Sequence, residues 1–516
     1  MASSSVKNPG PKIDPGQFMN NKEVQDCITR LKTIFGQQYE KLEVSDTMDA
    51  SGHQYVNLVQ KGGGVLGVSL VGYTYILEQV GIRFLRQAGT SAGAINTALL
   101  TVIGKKEDAK SEQVLKYICD LNFFDLVDGH PFARWLIRNF IKNQKFEKKA
   151  KLYLMILLGA VVGFIFLAIL FIGWQKYWIF AVVLSRIFFV LSGFMLVLLG
   201  AILFYVSYLF GRLKKCGYGI NPGKFFYDWV KDRMEENGVN SVSTLNQKAG
   251  AVIPGLKVRH PETQNVNSLI GDVTFITSEL VTENKIEFPK MTTLFREEAD
   301  EMHPAHFVRA SMSIPVFFES HMITGIPIDS QVIKDAWFKF LSIEKDIPSI
   351  VRFVDGGILS NFPINIFYNP KIVEPRLPSF GIDLDDTVID PEEANPFNWS
   401  LGSYIGHLFN TIRYYYDKDF LLKNSVFRKG VGTIKLANFN WLNFFLSDED
   451  KLKMFIKGAQ AATDFLIGFN WPVYQKDRTD MQLLINETQK TDQTILAKIK
   501  LRQESEQPSK ILSTAS

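Results

Sequence analysis

Cysteine is scarce in this sequence. Cys27, Cys119 and Cys216 are the only three, odd in number, far apart and without a C-x-x-C pair. That excludes a disulfide framework and fits a reducing compartment or simple core packing. A surplus of charge is missing as well. Lys and Arg total 57 against 53 Asp and Glu, a formal +4 over 516 residues, so no basic nucleic-acid-binding domain is expected. There are no internal repeats, no oxygen-rich loop with EF-hand spacing and no apolar secretory core at the start. The opening "MASSSVKNPGPKIDPGQFMNN" reads as a disordered lead-in, with an N-terminal helix to follow before residue 50. The polar C-terminal tail, residues 471–516, reads much the same from 490 onward, with one short helix at most. Aromatics, by contrast, are plentiful, with 41 Phe and 17 Tyr.

Charge disappears altogether in the middle of the chain. Leu152–Trp174 is 23 residues long and uncharged, enough at 1.5 Å per residue to cross a hydrocarbon core of about 30 Å. A second uncharged run covers Ile187–Phe210, and residues 177–186 belong either to it or to the interface. Two such runs in succession predict a transmembrane helical hairpin over 152–210 rather than core helices. Arg138, Lys142, Lys145, Lys148, Lys149 and Lys151 precede it, and Arg212, Lys214 and Lys215 follow. Both outer flanks are therefore expected on the cytoplasmic side. The segments 54–140 and 217–470 then form one domain interrupted by the hairpin.

Two glycine-rich turns stand out before the hairpin. Residues 54–60, "QYVNLVQ", read as a strand leading into Gly62-Gly63-Gly64, and Gly67–Val80 reads as a helix capped by Gly81. Residues 82–88 read as a second strand, followed by Gly89-Thr90-Ser91-Ala92-Gly93 and a helix over 94–103. This βαβα order predicts an α/β fold, three layers around a mostly parallel sheet. A G-x-S-x-G turn between strand and helix projects the Ser91 hydroxyl above the sheet, with Gly89 and Gly93 relieving clashes. The N–H groups of Gly62, Gly63 and Gly64, with that of Ala92 at the helix start, could hold a developing oxyanion. Gly62-x-Gly64-x-x-Gly67 also satisfies a dinucleotide fingerprint. The second strand, however, runs straight into the serine turn instead of ending in an acidic residue, and Glu78 lies inside the helix.

A serine nucleophile needs a base. Of the seven histidines (His53, His130, His260, His303, His306, His321 and His407), His407 is placed downstream as a triad would require, but in an apolar helical stretch. Asp355 is the better partner. It follows an apolar strand in "FVDGGILSNFP", and Gly356-Gly357 lets the chain turn sharply beneath it. Asp128-Gly129 is a reminder that such pairs also make ordinary turns. The aromatic stretch 437–450 reads as core packing before a Ser447-capped helix, or as a lipid contact.

Together these blocks resemble the patatin-like phospholipase family. "GTSAGAINTALL" (89–100) is similar to its nucleophile block, "VRASMSIPVFF" (308–318) to its Ala/Ser-rich segment and "VDGGILSNFPI" (354–364) to its aspartate block. The resemblance implies a Ser91–Asp355 dyad acting on fatty-acyl esters of phospholipids or lysophospholipids, with membrane lipids as substrate and anchor and with neither cofactor nor metal. A neutral-lipid esterase and a catalytically impaired membrane scaffold are the alternatives. Lys61 before the triple glycine and Leu66 after it depart from the family pattern.

Overall fold

The computed structural model describes residues 13–131, 134, 146–215, 217–259, 269–387, 395–399 and 401–506. Its centre is a mixed sheet built on β1 (Gln54–Gln60) and β2 (Ile82–Thr90). Every residue of β1 is buried, the signature of a strand covered on both faces. The other main strands are β3 (Asp272–Glu279), β4 (Asn284–Phe288), β5 (His321–Thr324), β6 (Ile350–Asp355), β7 (Ser379–Asp385) and β8 (Val431–Lys435). The strands pair in the order β8-β7-β1-β2-β3-β6-β5, with β4 paired to the edge of β3 opposite β2 and β6. From β8 to β3 all neighbours are parallel, whereas β6, β5 and β4 join antiparallel. Helices cover both faces.

Among them are α1 (Lys22–Phe35), α2 (Val68–Gln79), α3 (Ala92–Val102) and α4 (Ser111–Asp120) in the first half. Then come the long pair α5 (Phe146–Trp174) and α6 (Phe180–Lys215), followed by α7 (Lys224–Glu236) and α8 (Ala305–Ser311). Toward the end lie α9 (Leu401–Lys423), α10 (Asp448–Gly468) and α11 (Trp471–Glu506). Helix α2 is apolar nearly all round because it is sandwiched between the sheet and α10.

The structure corrects the reading of both chain ends. Within the supposed lead-in, Pro15–Met19 is a helical turn capped by Asp14, and Phe18 is fully buried edge-to-face on Phe455 of α10. Residues 1–12 lie outside the described residues. At the other end, α11 runs from Trp471 to Glu506, far beyond one short helix. Its first turn is anchored by buried Asp46, which accepts from Trp471 Nε1 at 2.7 Å, Gln475 Nε2 at 2.8 Å and Arg376 at 3.1 Å. Paired with a guanidinium and two further donors, the carboxylate is compensated for leaving water. Cys27 and Cys119 are buried and free, whereas Cys216 lies outside the described residues.

Helices α5 and α6 contain the apolar stretches Leu152–Trp174 and Phe180–Leu209, with mean hydropathy 3.0 and 2.8, both long and apolar enough to cross a membrane. Residues 180–186 belong to the second helix. The two helices pack on each other, with Phe188 stacked on Phe164 and Phe171. Their outer faces expose Val162, Phe166, Val197 and Phe204. A soluble core helix would bury such a surface. Where the pair joins the domain, the Asp128 carboxylate accepts the N–H groups of Gly223 and Phe225 at 2.9 and 3.0 Å, and the Asn221 side chain accepts from Gly129 at 3.0 Å.

Candidate active site

Strand β2 ends at Thr90 and α3 begins at Ala92, so Ser91 makes the whole turn alone. Its φ of 53° and ψ of −120° lie in a region that L residues avoid. Such strain, of order 1–3 kcal/mol, persists only where the surroundings enforce it. Here they do. A side chain at Gly89 would strike the Gly93 carbonyl, and one at Gly93 would strike the carbonyl of Gln60 at the end of β1. The elbow is thus closed on itself and on its neighbouring strand, and Ser91 is only 3 % exposed.

The triple glycine follows β1 and lies directly against this elbow. A Cβ at Gly62 would sit 2.9 Å from that of Ser91. The Gly62 N–H donates to the Asn361 carbonyl at 3.0 Å. Gly62 is therefore not a spare donor, contrary to the sequence expectation; its role is clearance. The N–H groups of Gly63 and Gly64 have no acceptor among the described residues. Gly64 has φ of 55°, and a side chain there would collide with the Trp441 carbonyl. That carbonyl accepts the next N–H, of Val65, at 3.1 Å. Ala92 opens α3, where first-turn N–H groups have no intrahelical acceptor.

Asp355 arrives from the opposite direction along the same edge of β3. Strand β4 takes one edge of β3, and β2 and β6 share the other in succession, with Thr90 opposite Ile276 and Asp355 opposite the next residue, Thr277. β2 runs parallel to β3 and β6 antiparallel, so the two strands approach head-on and their C-terminal ends, Thr90 and Asp355, face neighbouring residues of β3. The turn then closes the gap. Gly356 lies against the Ile276 carbonyl of β3, and a Cβ on it would lie 3.0 Å from the Thr90 methyl group. The Asp355 carboxylate accepts the Gly357 N–H at 2.7 Å, and the residue is 7 % exposed.

Two serines missed by sequence reasoning fasten these turns. Ser311 accepts the Ser91 N–H at 3.0 Å and donates to the Ile276 carbonyl at 2.6 Å. The Ser313 carbonyl accepts the Asp355 N–H at 2.8 Å. The Ala/Ser-rich segment at 308–318 was their only trace in the sequence.

The other candidates lie elsewhere or serve the scaffold. His407 sits on α9 with its ring stacked on Trp399 at 4.1 Å. His53 pairs with Asp49, His306 with His321, and His260 lies outside the described residues. Buried Glu78 accepts the N–H groups of Lys110 and Ser111, so it braces the loop before α4. Lys61 ties the end of β1 to β7 through Asp383 at 2.6 Å and the Leu384 carbonyl at 2.9 Å. Leu66 is fully buried in the core. The aromatic side chains of 437–446 pack inward: Phe444 stacks on Phe317, Phe445 lies tilted against Phe124, and Ser447 caps α10. Among the described residues no three or more His, Cys, Asp or Glu side chains converge as a metal site requires.

Beside the elbow lies an apolar cavity whose walls include Gly64, Ala92, Leu99, Leu121, Leu126 and Phe444. Its lining is almost wholly apolar and offers a polar head group almost nothing.

A strained serine elbow on a sheet with a parallel core, beside a side-chain-free loop and an apolar cavity, belongs to the α/β lipid acyl hydrolases. The chain matches the patatin-like phospholipase family over residues 58–368 and belongs to that family. It is 22% identical over 413 residues to the uncharacterized protein YqhO of Bacillus subtilis (strain 168), covering 80% of this chain and 98% of that one. A solved structure, VipD from Legionella pneumophila, aligns over 83% of this chain and 71% of its own, at 14% identity and a TM-score of 0.34.

Proposed function

We propose that this protein is a membrane-anchored serine hydrolase that cleaves fatty-acyl esters of phospholipids or lysophospholipids through a Ser91–Asp355 dyad. The observation that carries this reading is the meeting of the two turns, with Gly356 against Thr90 and Gly62 against Ser91. Asp355 takes the proton of the Ser91 hydroxyl as the oxygen attacks the ester carbonyl. The N–H groups of Gly63, Gly64 and Ala92 receive the negative charge that develops on the carbonyl oxygen. The leaving lyso-lipid or glycerol oxygen takes the proton from Asp355. Water, activated by the same carboxylate, then frees the fatty acid and restores Ser91. The apolar cavity holds the acyl chain, and α5 with α6 keeps the domain on the bilayer. The basic residues on both outer flanks support a cytoplasmic domain.

A fluorophosphonate probe on detergent-purified protein is the direct test. Labelling that vanishes in Ser91→Ala is expected. Absence of labelling in the wild type would favour the scaffold reading instead. Comparing membrane lipids of cells carrying wild type or Ser91→Ala identifies the ester cleaved and separates phospholipid from neutral-lipid substrates.

A further inference from the structure

The segment that follows the aspartate turn holds both halves of the site. The Ser360 carbonyl accepts the Thr90 hydroxyl at 3.0 Å, immediately before Ser91. Asn361 grips the oxyanion loop twice, its carbonyl accepting the Gly62 N–H at 3.0 Å and its amide donating to the Gly62 carbonyl at 3.3 Å. Ser360 and Asn361 are themselves almost completely buried. One side chain from a distant element fastens this segment from behind. Asp417, on α9, accepts the Ser360 hydroxyl on one carboxylate oxygen at 2.9 Å and the Phe362 N–H on the other at 2.8 Å.

We propose that Asp417 is a positioning residue, clamping residues 360–362 so that the nucleophile elbow and the oxyanion loop keep their mutual register. The proposal rests on the reading of Ser91 as nucleophile and adds a residue that touches neither substrate nor reacting atoms.

Position and chemistry both argue for it. An aspartate inside a helix forgoes propensity, and a carboxylate 6 % exposed has lost most of its water. Burial pushes its carboxyl up to about 6, opposed by the donors of residues 360–362 and by the nearby Lys61 ammonium. A scaffold contact needs no charge at that cost. What a carboxylate adds is two acceptors at a fixed separation, which set the direction of the Ser360 hydroxyl and the Phe362 N–H together. Any slack between 360 and 362 passes directly to Thr90 and Gly62, hence to Ser91 and the donors at Gly63 and Gly64.

The test compares full-length wild type with Asp417→Asn and Asp417→Ala in detergent. Fluorophosphonate labelling rate, kcat and KM on an acyl ester, and thermal unfolding are measured. Misplacement of reacting groups by an ångström costs on the order of a hundredfold, so Asp417→Ala is expected to lower kcat and labelling rate by about ten- to a hundredfold. KM should stay within about twofold, because the acyl cavity is untouched. Asp417→Asn keeps one acceptor for the Phe362 N–H and should fall between the two. If Asp417→Ala does not fold, Asp417→Asn alone decides. Folded Asp417→Asn with wild-type kcat and labelling rate would overturn the proposal, as would a raised KM at unchanged kcat. Failure of the wild type to label would overturn the nucleophile reading and this inference with it.

Discussion

The N–H of Ser91 donates to the hydroxyl of Ser311 at 3.0 Å across 220 residues of chain. The same hydroxyl donates onward to the Ile276 carbonyl at 2.6 Å, so one buried side chain ties the elbow to the strand beside it. Ser311→Ala leaves a buried donor and a buried acceptor unpaired, at a cost of about 1–3 kcal/mol each. A lowered Tm together with slower fluorophosphonate labelling is expected. A variant with wild-type melting and wild-type labelling would show that the elbow holds itself.

The dyad is expected to behave as a unit. Ser91→Ala and Asp355→Asn should each reduce kcat by orders of magnitude, and the double variant should lose little more. His407→Ala should turn over at nearly the wild-type rate, since its ring is engaged with Trp399. A folded His407→Ala without activity beside an active Asp355→Asn would replace the dyad with a triad. Esterase kinetics on the four variants decide this.

Chain-length preference is expected to follow the cavity. Leu126 is 2 % exposed and forms part of its wall. Leu126→Trp adds ring volume to that space, and overpacking costs about 1–3 kcal/mol unless the cavity absorbs it. The expected result is a shift toward shorter acyl esters, read as kcat/KM across a chain-length series, with little change on the shortest. An unshifted profile would place the acyl chain elsewhere.

Acid should destabilise the fold through a half-buried histidine pair. His306 Nδ1 lies 3.2 Å from His321 Nε2, and the Tyr227 hydroxyl lies 3.2 Å from His306 Nε2. Burial, with the charges of His303, Arg296 and Lys231, lowers His306 from 6.5 to about 4; burial, with the charges of His306 and Arg309, also lowers His321. In the unfolded chain both titrate near the ordinary 6.5, so between that value and about 4 the unfolded state binds more protons. Stability is therefore fully present above 6.5 and declines as pH falls toward 4. Tm measured against pH should show this slope, and a His306→Gln/His321→Gln variant should flatten it.

Local pattern carried the core of the architecture. The strand at 54–60, the glycine turns, the elbow and the aspartate turn stand where spacing and turn chemistry put them, because each is specified within a dozen residues. The parts that stayed hidden depend on long-range pairing. Nothing near Ser311, Asn361 or Asp417 in sequence says that they meet the elbow, the oxyanion loop or the turn after Asp355. Gly62 was misjudged for the same reason: its N–H is taken by a residue from the far side of the chain. Phe18 sits in polar surroundings in sequence, and only its partner Phe455 makes that segment part of the fold; the bond from Trp471 to Asp46 is equally invisible locally.

The fastening of Asp128 and Asn221 to Gly223, Phe225 and Gly129 means that the chain leaves the domain and re-enters it at practically one point. Arg309 strengthens that junction, donating to the carbonyls of Pro222, Gly223 and Glu319. A segment hung on such a closed neck imposes little strain on what lies beneath it, whatever its length, since loop-closure entropy grows only slowly with loop size. The two apolar helices are thus interchangeable in principle with any hairpin of matching ends. The proposed membrane anchoring and the proposed chemistry at Ser91 can then diverge independently, one by changes between 146 and 215 and the other by changes in the folded domain.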